Sequence, residues 1–269
     1  MSAAVRVAVL GAAGRMGRAI VRTLSETEGA NLAAAVDRPG GPVLGQDAGA
    51  LAGIAPLGIA VGGAPPEPGV ADVWIDFSSA AATVANAQAA SAAGAGLVVG
   101  TTGLAPDDRA TLDRASHKIP VVLAPNMSVG VNLLLKLVAD AARALGPDYD
   151  LEIVETHHRH KRDAPSGTAL RLAEALCEAT GRDLGTAARY ERHGDIGPRT
   201  AQEIGVQTLR GGDVVGDHTV FFLGQGERIE ITHRASSRDT FARGAVRAAL
   251  WLAQRGPGLY DMRDVLRLK

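Results

Sequence analysis

Residues 5–17 read Val5-Arg6-Val7-Ala8-Val9-Leu10-Gly11-Ala12-Ala13-Gly14-Arg15-Met16-Gly17. A run of β-prone apolar residues ends at a glycine turn, and residues 16–24 continue with a period that suits an amphipathic helix. A strand feeding a helix through closely spaced glycines is the opening of a dinucleotide-binding βαβ unit. The glycines permit a tight turn, and backbone N–H groups at the helix start meet a pyrophosphate. The spacing is G-x-x-G-x-x-G rather than the usual G-x-G-x-x-G, so an ordinary glycine turn remains open on the motif alone. Asp37 lies 20 residues after Gly17, at the end of a second strand candidate over residues 32–36. A carboxylate there accepts from a ribose 2′-OH. Arg38 follows, and a guanidinium at that point suits a 2′-phosphate, with a solvated loop charge as its alternative. An acid beside an arginine predicts use of both NADH and NADPH.

Working outward, strand candidates at residues 73–77, 97–99 and 119–123 alternate with helical stretches at 80–93 and 107–117. That alternation predicts a Rossmann-like parallel sheet with right-handed crossovers. Residues 44–68, rich in Gly and Pro, read as loop with one short strand near Ile59. Gly100-Thr101-Thr102-Gly103 and Ala124-Pro125-Asn126-Met127 lie just beyond C-terminal strand ends, the rim where open α/β sheets bind ligands. A plain βα loop is the alternative for each. After Pro125 the pattern changes. Residues 129–145 and 166–180 read as helices, and residues 151–156, 203–209, 214–223 and 228–232 as strands with Gly-rich turns. This half reads as α+β with a mixed or antiparallel sheet. A last helix near residues 240–254 suits either half.

The chain has 269 residues, enough for two ordinary domains and a sizeable core. Lys and Arg number 28 against 29 Asp and Glu, so no global field favours nucleic acid or an anionic membrane. Aromatics at 3% weaken a base-stacking role further. The single Cys177 excludes a disulfide scaffold and suits a reducing cytoplasm; its helical context makes it a small core residue. Residues 5–10 are too short for a signal-peptide core. Residues 77–106 carry no charge, but small and weakly polar residues dominate them, which argues against a membrane span.

The most informative stretch is Glu155-Thr156-His157-His158-Arg159-His160-Lys161-Arg162-Asp163-Ala164-Pro165-Ser166-Gly167-Thr168. A metal site is one rival, but the stretch has no H-E-x-x-H pattern and no nearby Cys, and its cations would oppose a divalent ion. A solvated basic run is another. An anion site fits better. Ser166-Gly167-Thr168 opens a helix whose free N–H groups and dipole favour a carboxylate, and Gly167 removes a Cβ from the approach. Lys161 supplies charge and a proton, and His157 acts as acid or base near neutral pH. His117, His193, His218 and His233 lack such company and read as structural. A dinucleotide on one half and a dianion on the other predict hydride transfer. A non-catalytic nucleotide-sensing module, or another two-domain NAD(P) imine or amino-acid reductase, are the alternatives.

At these residues the chain resembles the 4-hydroxy-tetrahydrodipicolinate reductase (dihydrodipicolinate reductase) family of the diaminopimelate and lysine pathway. The resemblance spans nearly the whole chain: GAAGRMG at 11–17, VDR at 36–38, IDFS at 75–78, GTTG at 100–103, APNMSVGVN at 124–132 and ETHHRHKRDAPSGTA at 155–169. It implies a cyclic dicarboxylate substrate, reduced at C4 by hydride from NADH or NADPH with loss of water. His157 is then the proton donor or acceptor and Lys161 the proton donor. His158, Ser166, Gly167, Thr168 and Thr102 bind substrate. Gly11, Ala12, Ala13, Gly14, Arg15, Met16, Asp37, Arg38, Gly100, Thr101, Thr102, Ala124, Pro125, Asn126 and Met127 bind cofactor, and no metal takes part. Met127 stands where the family commonly has a phenylalanine. The resemblance further implies a cytoplasmic homotetramer assembled through the second domain's sheet, with no nucleic-acid or membrane partner. It divides the chain into a dinucleotide domain, 1–126 completed by 238–269, and a substrate and oligomerisation domain, 127–237; with cofactor and substrate on different domains, hydride transfer predicts hinges near 126–130 and 236–239.

Overall fold

A computed structural model describes residues 3–269. In chain order the elements are β1 (Val5–Leu10), α1 (Arg15–Ser25), β2 (Ala30–Val36), α2 (Ala48–Ala52), β3 (Val61–Gly62), β4 (Val73–Asp76), α3 (Ala80–Ala93), β5 (Gly96–Val99), α4 (Pro106–Ser116) and β6 (Pro120–Leu123). Next come α5 (Val129–Leu145), β7 (Asp150–His157), α6 (Gly167–Thr180), α7 (Leu184–Ala187), β8 (Ala188–Arg189), β9 (Ile204–Arg210), β10 (Gly216–Leu223) and β11 (Arg228–Ala235). The chain ends with α8 (Asp239–Leu252), β12 (Gly258–Tyr260) and α9 (Met262–Leu266). It forms two compact units, one running up to Val129 and resuming at Arg238–Lys269, the other Gly130–Ser237. Among the described residues no helix is long and apolar enough to cross a membrane.

The first unit is built on a seven-stranded sheet in the order β12-β6-β5-β4-β1-β2-β3, parallel throughout. Its central strands are apolar on both faces because helices cover both. Val7, Val9, Val73 and Ile75 pack with α1 and α8, whereas Ala8, Leu10, Trp74 and Leu97 pack in a second cluster with Leu112 of α4. That explains why these strands read as continuous apolar runs rather than alternations. The last helix, which local pattern left free to join either half, packs here through Ala242, Ala245, Ala249 and Leu252.

Three short elements of this unit, α2, β12 and α9, have no counterpart in the sequence reading, whereas β3 is the short strand expected near Ile59. Residues 44–68 hold α2, capped by the Asp47 carboxylate on the Ala50 N–H, and the two-residue β3. β12 and α9 carried no expectation at all. They are three and five residues long, and β12 exists because it pairs with β6 at the sheet edge. Pairing from so far along the chain leaves no local periodicity to read.

The second unit has a mixed five-stranded sheet, β11-β10-β7-β9-β8. β7 pairs antiparallel with β10 and parallel with β9. Its alternation is clean: Leu151, Ile153, Glu155 and His157 are buried and their neighbours are not. The buried positions Leu151 and Ile153 share a core with Leu134 and Val138 of α5 and Leu172, Ala173 and Leu176 of α6, and Cys177 lies in the same cluster.

Two glycines set how closely backbone meets backbone in the first unit. A Cβ on Gly17 would lie 2.1 Å from the Gly11 carbonyl oxygen, so the turn closes onto α1 only with glycine there. A Cβ on Gly244 would lie 1.8 Å from the Met127 carbonyl oxygen, which fixes how α8 supports the loop after β6. Gly244→Ala should destabilise the protein by about 1–3 kcal/mol, the usual range for overpacking. A urea midpoint equal to that of the parent would show that α8 does not clamp this loop.

Candidate active site

In the first unit, α1 begins at Gly14, and no side chain caps it. The first N–H groups of a helix have no partner within it, and a glycine cap leaves them open to an anion. The Asp37 carboxylate accepts from the Ala13 N–H at 2.8 Å and the Arg38 N–H at 2.9 Å, tying the end of β2 to the glycine turn. Each oxygen thereby receives one bond and retains capacity for a hydroxyl donor. Arg38 and Arg15 are exposed. A cavity of about 370 Å³ opens beside the turn. Of the expected residues, Arg15, Met16, Gly100, Thr102, Pro125, Asn126 and Met127 line it. Gly11, Ala12, Ala13, Gly14, Asp37, Arg38, Thr101 and Ala124 do not.

Three further residues, Phe77, Arg238 and Phe241, also line this cavity. Phe77 directly follows β4, so the same strand-end rule that marks Gly100 and Ala124 points to it. Its ring packs where a Gly100 side chain would be, 2.1 Å from an added Cβ. Arg238 and Phe241 come from the returning segment, for which the local sequence holds no signal. Thr101 and Ala124 are buried. Thr101 lies 3.4 Å through its hydroxyl from Asp76, so it serves the loop rather than the cavity wall. Met127 is buried in the core, so its role in lining is largely that of backbone.

In the second unit two of the expected residues, His157 and Ser166, meet on one buried carboxylate. The strand period puts Glu155 and His157 on the same face of β7. Register then places Thr208 and His218 opposite Glu155, and Arg210 opposite His157. Glu155 has no exposed surface. It takes a two-pronged bond from Arg210 at 2.9 Å on each oxygen, and bonds from the Ser166 N–H at 3.0 Å, the Thr208 hydroxyl at 3.2 Å and His157 Nδ1 at 2.5 Å. Burial alone would raise its pKa, but Arg210, His157 and the Ser166 N–H outweigh that and hold it below the usual carboxylate range. An ionised carboxylate only accepts, so Nδ1 of His157 carries the proton and Nε2 is left as the exchanging atom. Burial, with the charges of Lys161 and Arg210, lowers the His157 pKa against the pull of Glu155.

Ser166 caps α6, accepting from the Ala169 N–H at 3.2 Å, and its oxygen lies 3.2 Å from His218 Nε2. The Ser166 hydroxyl thus links the α6 cap to His218 through one further hydrogen bond. His218, read from sequence as structural and isolated, therefore belongs to the site's support, its ring 5.2 Å from that of His157. Lys161 Nζ sits 2.8 Å from both carboxylate oxygens of Asp163, which it holds below the usual range. His158 lies beside this segment and is half-buried, its ring 6.4 Å from that of His160. A Cβ on Gly167 would meet no atom within 4 Å. The protein's own packing does not require glycine there, whereas the close approach of an anion to the helix end would. Among the described residues no group of three His, Cys, Asp or Glu side chains is placed to hold a metal.

Two family models match the chain: dihydrodipicolinate reductase, N-terminus, over residues 5–127, and dihydrodipicolinate reductase, C-terminus, over residues 130–266. The chain belongs to the dihydrodipicolinate reductase family. It is 59% identical over 266 residues to a 4-hydroxy-tetrahydrodipicolinate reductase of Anaeromyxobacter dehalogenans, covering 98% of each chain. Its identity to the enzyme of the same name from Syntrophotalea carbinolica is 53%, over 98% of this chain and 100% of that one. Among solved structures, a dipicolinate-bound dihydrodipicolinate reductase from Paenisporosarcina sp. TG-14 superposes with a TM-score of 0.73 at 22% identity, covering 96% of this chain and 97% of that one. At that identity the likeness supports the two-part fold: a Rossmann-like parallel sheet and a mixed-sheet second domain.

Burial drives His218 down to about 4 from an ordinary value of 6.5. The unfolded chain therefore binds a proton that the folded chain excludes. The resulting stabilisation is complete above pH 6.5 and is lost as pH falls toward 4, on the order of 3 kcal/mol in all. His157 acts in the same direction. Glu155, also depressed, costs stability only below its unfolded value, at the acid end of this window. Urea midpoints should fall steadily from pH 7 to pH 4.5, and His218→Asn should flatten the decline. An unchanged slope in that variant would remove His218 as its cause.

Proposed function

We propose that this chain reduces 4-hydroxy-tetrahydrodipicolinate to tetrahydrodipicolinate with NADH or NADPH, releasing water. Identity of 59% over almost the full length of a relative of that name carries the assignment. The uncapped α1 and the Asp37 bridge fit a dinucleotide, and the α6 end beside a cationic segment fits a dianion.

A bound reduced nicotinamide supplies hydride for C4 of the substrate. On this assignment Gly11–Met16 hold the pyrophosphate at the start of α1, Asp37 takes the ribose hydroxyl, and Arg38 takes a 2′-phosphate. Gly100–Thr102 and Ala124–Met127 hold the nicotinamide end, Thr101 and Ala124 through backbone because they are buried. Gly167 and Thr168, with the Ser166 cap, bind one carboxylate of the substrate, and His158 and Lys161 the other, with Thr102 as a further contact from the first unit. Lys161 must release Asp163 to reach substrate, and it then serves as proton donor. His157 Nε2 exchanges a proton while Glu155 keeps Nδ1 protonated. Turnover requires the chain to bring its two half-sites together, with residues 126–130 and 236–239 as hinges. The first unit, residues 1–126 with 238–269, is the dinucleotide domain, and residues 127–237 bind substrate and oligomerise.

The same assignment places the reaction in diaminopimelate and lysine biosynthesis, in the cytoplasm, on a homotetramer built through the second sheet. Leu209 of β9, a large apolar side chain 49% exposed, supports an association there. Sedimentation velocity should give four times the 27.6 kDa chain mass.

Three variants test the site. Lys161→Ala should lower kcat by about 10²–10⁴-fold, the range for a positioned acid, with NADH affinity unchanged. A variant with full kcat would remove Lys161 from the mechanism. Gly167→Ala should fold as well as the parent, since the methyl group has room, yet bind pyridine-2,6-dicarboxylate at least tenfold more weakly. Undiminished binding would place the anion elsewhere. Arg38→Ala should weaken NADPH more than NADH, by about 1 kcal/mol for a contact from an exposed side chain. Equal losses would sink its role at the 2′-phosphate.

A further inference from the structure

We infer that buried Glu155, paired with the partly buried Arg210, is the positioning unit of the substrate half-site, setting the His157 ring, the Ser166 cap and the segment behind Lys161 from one fixed point. The inference rests on the site residues proposed above and adds two groups that do not themselves meet substrate.

The three arms are all hydrogen bonds from this single pair. Glu155 accepts from His157 Nδ1 on one oxygen and from the Ser166 N–H on the other. Arg210 spans both oxygens of Glu155, and its Nη2 also donates at 2.7 Å to the carbonyl of Asp163, the residue that holds Lys161. Thr208 adds a fifth donor to Glu155. Every other ionisable group facing His157 is a cation or a histidine: Lys161 from the segment after β7, Arg210 from β9 and His218 from β10. Glu155 is thus the one group in that company that can fix the ring's proton on Nδ1.

Shape matters as much as charge. A lysine in place of Arg210 keeps the positive charge but cannot span two carboxylate oxygens and reach the Asp163 carbonyl at once. A glutamine in place of Glu155 turns one acceptor into a donor. That amide group must face either His157, reversing the ring's tautomer, or the Ser166, Thr208 and Arg210 donors, breaking the cap's support.

The first measurement uses the unaltered chain. With ¹⁵N-labelled histidine, His157 should show Nδ1 protonated and Nε2 bare at pH 7.5. A ring carrying its proton on Nε2 overturns the inference whatever the variants do. Arg210→Lys and Glu155→Gln should each lower kcat and the affinity for pyridine-2,6-dicarboxylate by about 10–100-fold, the range seen when groups supporting a ligand are lost. Reduced-cofactor affinity should stay within twofold, and the His157 ¹⁵N signals should move. Variants with parental kcat and unmoved signals overturn it. If Glu155→Gln does not fold, Arg210→Lys and the parent spectrum still decide. Full activity of His157→Ala would overturn the proposed role of His157, and the tautomer result would still report separately on Glu155.

Discussion

A carboxylate with no exposed surface tolerates ionisation only when donors replace the water it has lost, because an unpaired buried charge costs several kcal/mol. Glu155 meets that demand with five donor groups on four residues: a strand neighbour, a helix cap and two positions on β9. Removing one partner of such a pair is far more damaging than its net contribution suggests, since the remaining charge is left stranded. Strand register, the start of α6 and the position of the cationic segment are therefore not independent features. The first two satisfy the same oxygens, and the third is tied to them through Arg210.

The first unit handles its corresponding buried acid with neutral groups. Asp76, also without exposed surface, ends β4 and accepts from the Ser78 N–H at 2.8 Å, the Ser78 hydroxyl at 2.6 Å and Asn86 at 3.1 Å. These bonds fold the loop that presents Phe77 to the cavity. In both units the candidate site rests on a carboxylate with no exposed surface of its own. Rigid support beneath exposed groups is what a site needs to hold ligands within a fraction of an ångström.

Much of this was legible in the chain. The parallel sheet followed from alternating apolar runs and helices, and the two candidate ligand sites from a glycine turn and a helix start. The strand period alone would have put Glu155 and His157 on one face, although Glu155 was not assigned a role. Other groups were beyond reach for a physical reason. Arg210 and Thr208 join the site through the β7–β9 register, and His218 through β7–β10, and register between distant strands leaves no trace in local spacing. Arg238 and Phe241 reach the first unit's cavity only because the chain returns after the second unit. A lone histidine such as His218 looks structural in sequence because its partners, Ser166 and His157, lie 52 and 61 positions away.

Glycine shows how structure separates two uses that sequence cannot. Gly17 and Gly244 are required by neighbouring backbone, since a Cβ at either would lie within 2.1 Å of a carbonyl oxygen. Gly167 has open space around it and an ordinary helical position. Glycine is a weaker helix former than alanine, and nothing in the packing around this position calls for it. A residue that lowers helix stability, at the one helix start that adjoins a cationic segment and a fixed histidine, makes sense if something outside the chain must come closer than a methyl group allows. Gly17 is required by the fold, and on the proposed assignment Gly167 serves the ligand.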